Sequence, residues 1–139
     1  MTSVHLIAAL VLFAGPALAD RIEVTCAEST PFQDGTTICD ARGSLSFRSD
    51  GPEVDFYLTL TAPASHCSDV AYLIFQPGAE RTIGFSTRMA PGQSQNVVIG
   101  KGFGPGAATV EIGAIGYVGG CNTGAIGSWA VDVSAAPVP

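Results

Sequence analysis

The chain has 139 residues, six basic and twelve acidic side chains for a net charge of −6, and 47% apolar against 13% charged residues. The apolar share argues for a packed core over disorder. The negative sign, with Lys101 the one lysine, opposes nucleic acid and anionic membrane surfaces, both of which require clustered Lys or Arg.

Residues 1–19 read as a signal peptide. Leu6 to Phe13 is almost entirely apolar, and Ala17-Leu18-Ala19 supplies the small-x-small pattern expected ahead of a cleavage site, here before Asp20. The apolar run, broken at Gly15-Pro16, is shorter than the roughly 20 residues of a spanning helix. The expectation is therefore a secreted or periplasmic protein with no stable membrane insertion after cleavage. The remaining residues, 20–139, suit one domain: a β-sandwich over 20–133 and a flexible tail over 134–139, where no periodic pattern continues.

In chain order, apolar residues recur at period 2 in short runs bounded by Gly, Pro, Asn and Ser. Ile22, Val24 and Cys26 begin the series, followed by Thr36 to Ala41 and Gly43 to Phe47. The clearest segment alternates Val54, Phe56, Leu58 and Leu60 with Asp55, Tyr57, Thr59 and Thr61, which turns one face to a core and the other to water. Ala71 to Phe75 is apolar at every position and reads as a central strand covered on both faces. Arg81 to Ser86, Gln95 to Ile99, Ala108 to Ile115 and Ser128 to Val133 complete the set. Asp34-Gly35, Ser49-Asp50-Gly51-Pro52, Gln76-Pro77-Gly78, Ala90-Pro91-Gly92 and Gly104-Pro105-Gly106 supply turns between them. The fold predicted is all-β: an antiparallel, immunoglobulin-like β-sandwich of seven to nine strands.

Met89-Ala90-Pro91-Gly92-Gln93-Ser94, followed by Val97-Val98-Ile99, Gly106 and Val110-Glu111-Ile112, resembles the strand-turn-strand cadence of bacterial immunoglobulin-like modules of the CARDB type. The likeness covers about a quarter of the chain. It implies an extracytoplasmic adhesive, assembly or spacer domain and transfers no functional residue. Such modules usually lack paired cysteines, and this chain departs from them there and in its amino-terminal half.

Cys26, Cys39, Cys67 and Cys121 form an even set, read in an oxidising compartment as two disulfides. The pairing expected is Cys26 with Cys39, on neighbouring segments of a hairpin, and Cys67 with Cys121, in turn-rich loops. A metal site is not expected, since no C-x-x-C occurs and His66 is the one histidine after residue 19. No cofactor is expected either: Gly100 to Gly106 lacks the Gly-Lys-[Ser/Thr] of a phosphate loop and reads as a hairpin connection.

Catalysis by a nucleophile needs a base and an orienting acid from distant segments. His66 has only its sequence neighbours Ser65, Ser68 and Asp69, so a solvated loop histidine is the plain expectation. The function expected is a non-enzymatic binding, adhesion or assembly module whose partner is another protein or an extracellular polymer. The alternatives are a small carbohydrate hydrolase working through acidic residues such as Asp50, Glu53 and Asp55, and a subunit of a surface fibre. A Cys67–Cys121 bridge would bring two loops together and gather His66, Ser68, Asp69, Asn122 and Thr123, with Tyr117 as aromatic neighbour. The glycine-rich run from Gly113 to Gly127, leading to Trp129, reads as a packed hairpin that places the indole in the core beside a disulfide, the alternative being a binding face that another backbone or a flat ligand can approach. As exposed loop positions, His66, Asp69 and Asn122 are expected to tolerate alanine with little change in melting temperature.

Overall fold

A computed structural model describes residues 19–139, so the expected signal peptide lies outside the described residues apart from Ala19. Ten strands follow in chain order: β1 (Asp20–Thr25), β2 (Ser29–Pro31), β3 (Thr36–Cys39), β4 (Gly43–Ser49), β5 (Val54–Thr61), β6 (Val70–Phe75), β7 (Thr82–Phe85), β8 (Ser94–Phe103), β9 (Gly106–Tyr117) and β10 (Ser128–Pro137). All regular structure among the described residues is strand. The count exceeds the seven to nine expected, because β2, only three residues long, pairs with β3 across the Gln33–Thr36 turn.

Two antiparallel sheets face each other. One runs β1-β10-β5-β8 and the other β2-β3-β9-β6-β7, with β4 paired to β9 beside β3's end. The alternation of β5 works as its sequence implies. Phe56, Leu58 and Leu60 are buried and in register with Ile99, Val97 and Gln95 of β8. Thr59 and Thr61 lie on the outer face, hydrogen-bonded to Asn96 and Ser94. The core adds Tyr72, Ile74, Val110, Ile112, Ala114, Trp129, Val131 and Val133 from the remaining central strands. Ala71 to Phe75 falls within β6, an interior strand between β9 and β7. Its outward Phe75 is covered by the Arg42 guanidinium, 3.5 Å above the ring centroid.

Several turns take the form their residues dictate. In Gln76–Ala79 and Ala90–Gln93 the fourth residue's N–H donates to the first carbonyl at 3.0 Å, and Gly78 and Gly92 hold φ of 73° and 85°. Proline followed by a positive-φ glycine is the type II arrangement. The connection after Gly100, however, is no hairpin: β8 continues to Phe103, and β9 begins in the opposite sheet. The same holds between β9 and β10, so the expected hairpin around Cys121 is an arch from one sheet to the other.

The tail expectation is overturned over residues 134–137. Ser134 to Pro137 continue β10 in register with Thr59 to Phe56, and Val138 N–H donates to Asp55 O at 2.8 Å. Alternation persists there at half-buried Ala135, but alanine carries too little apolar surface to signal a strand on its own.

Both disulfides have the expected pairing, Cys26–Cys39 and Cys67–Cys121, each with Cα atoms 5.5 Å apart. The reason differs for the first. Cys26 follows β1 and Cys39 ends β3, which belong to opposite sheets, so this bridge ties the two layers and does not close a hairpin.

The sheet edges approach closely at two glycines. A methyl at Gly43 of β4 would overlap Ile22 Cγ2 of β1, and a Cβ at Gly84 of β7 would sit 3.0 Å from Val97 Cγ1 and 3.1 Å from Val98 O of β8. Glycine at 84 thus lets β7 lie against the open side of β8. Gly84→Ala is expected to lower unfolding stability by about 1–3 kcal/mol, the usual cost of overpacking. Gly51→Ala, with no heavy atom within 4 Å of its Cβ, should stay within about 0.5 kcal/mol of the parent. Urea titration of both variants checks the pair. On a chain-entropy basis, the 13- and 54-residue separations of the disulfides correspond to about 3 and 4 kcal/mol. Reduction should therefore move the midpoint strongly downward, and a non-reducing peptide map should return the two linkages.

Candidate functional site

Strand β5 stops at Thr61, opposite Asp132, and two residues earlier on β10 the backbone of Ala130 has no strand beside it on that side. Buried backbone groups require partners, and side chains supply them. His66 Nε2 accepts from Ala130 N–H at 2.9 Å, and Tyr72 O–H donates to Ala130 O at 2.6 Å. Burial raises the Tyr72 pKa well above that of an ordinary phenol, with the nearby Asp132 charge adding to the effect, so the hydroxyl keeps its proton.

His66 is held for this task by a turn in the first half of the 62–69 loop, where its N–H donates to Pro63 O at 3.0 Å. The loop is tied to β8's approach by paired bonds between Ala62 and Gln93 O and between Gly92 and Ala62 O. An accepting Nε2 carries no proton, so the neutral ring has its hydrogen on Nδ1. Desolvation first, and the Arg21 charge second, lower the His66 pKa below its usual value. The solvated histidine expected from sequence is therefore corrected: it is half-buried and bonded to the sheet.

The Cys67–Cys121 disulfide brings this loop against the 118–127 loop. Gly120 makes the approach possible: it has φ of 54°, and a Cβ there would overlap the Cys67 carbonyl oxygen. The second loop is pinned further by Thr37 Oγ1, which donates to Gly124 O at 3.1 Å, and by the reciprocal Gly119–Asn122 backbone bonds at 2.9 Å.

Between the loops lies a cleft of about 250 Å³. Of the expected face, His66, Ser68, Asp69 and Asn122 line it, together with Ser65, Trp129 and an apolar wall that includes Val70, Ala125 and Ile126. Thr123 is exposed and does not line it. Tyr117 stands outside, with Arg88 4.4 Å above its ring, and the same Arg88 donates from Nε to Asp69 Oδ2 at 2.7 Å. Among the described residues, the one carboxylate in the lining is thus engaged by a cation.

Asn122 also departs from expectation. It is buried, its Oδ1 accepts from Gly124 N–H at 3.0 Å, and its Nδ2 lies over Gly116, where a Cβ would come within 2.8 Å. Asparagine beside three flexible glycines looks exposed in sequence, but a missing side chain at position 116 on the neighbouring strand leaves the space that receives it. Trp129, 2% exposed and 6.0 Å from the Tyr72 ring centroid, is the indole expected in the core. Its place in the wall of a cleft follows from the absence of a strand next to Ala130, which leaves no local signal in the sequence.

No protein-family model, no curated protein and no solved structure matches the chain.

The bond at His66 ties stability to pH. With the folded pKa below 6.5, the unfolded chain takes up the proton first, so the contribution is complete above that value and is lost as pH falls from there through the folded pKa. Because His66 is the only histidine after residue 19, His66→Gln should flatten the fall in stability that begins as pH drops below about 6.5, as followed by urea denaturation. His66→Ala should cost about 1–3 kcal/mol at neutral pH by stranding Ala130 N–H. Asn122→Ala should also destabilise, contrary to the tolerance expected of an exposed position.

Proposed function

We propose that the chain is an exported, non-enzymatic binding module that takes part of another protein or of an extracellular polymer into the cleft between the 62–69 and 118–127 loops. The observation that carries this is the convergence of Ser65, His66, Ser68 and Asn122 on one concavity whose two walls are linked covalently by Cys67–Cys121. Loops held on a rigid scaffold place polar groups at little cost in ordering on binding. Two disulfides suit the periplasm or the exterior, where thiols are oxidised, and no helix among the described residues is long and apolar enough to cross a membrane. The CARDB-like cadence around Ala90–Gln93 agrees with an adhesive or assembly role.

Glycoside cleavage through paired carboxylates draws less support. Asp69 is the single acid in the cleft lining and is engaged by Arg88, while Asp50 lies 3.5 Å from Arg48 at the opposite end of β5. A fibre subunit would offer a long open edge or an incomplete sheet. Here the ten-residue edge of β8 has β7 of the other sheet lying against it at Gly84, and the edge strand β2 is three residues long and contains Pro31.

Ala125 is exposed and lines the cleft, so Ala125→Trp should fill it without disturbing the core. Screened against arrays of glycans and of peptides, the parent should give a ligand whose binding falls at least about tenfold in this variant at unchanged melting temperature. A ligand retained at full affinity by Ala125→Trp would locate the binding face elsewhere.

A further inference from the structure

The cleft wall carries donors that the protein itself leaves unused. Trp129 is 2% exposed and its Nε1–H is buried with no acceptor. Leaving such a group unpaired is unfavourable, and because its nitrogen has no exposed surface, an acceptor entering from the cleft recovers that cost by displacing the side chains that cover it. Asn122, 6% exposed, uses Oδ1 for Gly124 N–H, and its Nδ2 hydrogens donate to no acceptor among the described residues. His66, accepting at Nε2, presents Nδ1–H as a third donor.

The charge balance of the lining limits what can bring the acceptor. Among the described residues no Lys or Arg lines the cleft, and Asp69 is engaged by Arg88. An anionic ligand would have to recruit a proton onto His66, and the nitrogen open to it is the one that accepts from Ala130 N–H. Arg21, whose charge acts on His66, also opposes that protonation, and is itself paired with Asp132 at 3.1 Å. A neutral oxygen acceptor is favoured. Beside the donors stand Val70, Ala125 and Ile126, enough apolar surface for a methyl group, and Ser65, Ser68 and Ser128 supply hydroxyls. Beside the loops the lining includes Val70, Gly116, Ser128 and Trp129 from β6, β9 and β10, and the open side of β10 is already bonded at Ala130 to His66 and Tyr72, so the backbone ladder by which an extended peptide usually docks has no free rung there.

We propose that this cleft recognises the acetamido group of an N-acetylated amino sugar. Its carbonyl oxygen accepts from Trp129 Nε1–H and Asn122 Nδ2–H, its methyl packs on Val70 and Ile126, and the ring hydroxyls meet Ser65, Ser68 and His66 Nδ1–H. The proposal rests on the cleft being the binding site and adds the chemistry of the ligand.

Trp129 is the only tryptophan in the chain, so its indole ¹H–¹⁵N resonance reports from the cleft wall alone. The disulfide-intact chain is titrated with N-acetylglucosamine, with glucose, and with N-acetylalanine methylamide, which carries the same amide on a peptide. N-acetylglucosamine should move the indole resonance saturably, with glucose at least about tenfold weaker because it lacks the acceptor, and the peptide amide at least about tenfold weaker because it lacks the ring hydroxyls that meet Ser65, Ser68 and His66. Asn122→Ser and Ala125→Trp should each weaken the response by a similar factor, the second variant leaving the Asn122–Gly124 bond in place. A resonance unmoved by the acetamido sugar, equal response to glucose, or preference for the peptide amide would each overturn the proposal. If the array ligand were still lost in Ala125→Trp in those cases, the cleft would remain the binding site and only the acetamido assignment would fall.

Discussion

The structure around the cleft depends on a missing neighbour: past Thr61 there is no strand to take up the N–H and carbonyl of Ala130 on β10. His66 and Tyr72 replace it, one accepting and one donating. Tyr72 reaches Ala130 from the opposite sheet, so its hydroxyl links the layers through a polar contact at the border of an otherwise apolar core. Satisfying this single residue draws the 62–69 loop over the end of the sandwich. The disulfide then draws the 118–127 loop to meet it, and the cleft is the space that the two loops do not fill.

Much of the fold is legible in the pattern of apolar side chains. β5 and β8 alternate because one face is buried and the other wet, and the type II turns at Pro77-Gly78 and Pro91-Gly92 follow from fixed φ beside permitted positive φ. A turn signal does not say whether the chain returns to the same sheet or crosses to the other. That is why Gly104-Pro105-Gly106 and the loop before Trp129, expected as hairpins, are arches, and why Cys26–Cys39 ties two layers instead of one pair of strands. β2 escaped notice because Ser29-Thr30-Pro31 has no apolar alternation, and the end of β10 because Ser134 to Pro137 contains little more than alanine.

The candidate site was legible as a gathering of loops, since a Cys67–Cys121 bridge forces His66 to Asp69 near Asn122. Its chemistry was less so. Polarity of Asn122 and His66 suggested exposure, whereas burial came from Gly116 below one side chain and from a backbone N–H opposite the other. Tyr117 does not line the cleft but borders it: its N–H donates to Asp69 O at 3.1 Å, and its ring lies under Arg88, which holds the Asp69 carboxylate. Long-range relations of this kind have no local periodicity to announce them.

The order β1-β10-β5-β8 has a consequence for how the chain reaches this form. No two neighbours in that sheet are consecutive in sequence, and the last strand to emerge in synthesis, β10, is an interior one. Until it arrives, β1 has no partner in its sheet and β5 pairs only with β8. Pairing so distant in sequence makes folding slow, because each contact must first close a long loop. The other sheet contains short hairpins, β2 with β3 and β6 with β7, but its centre, β9, also comes late. A chain threaded in extended form through a membrane pore would lose nothing by this ordering, since little of it can lock before the end is through.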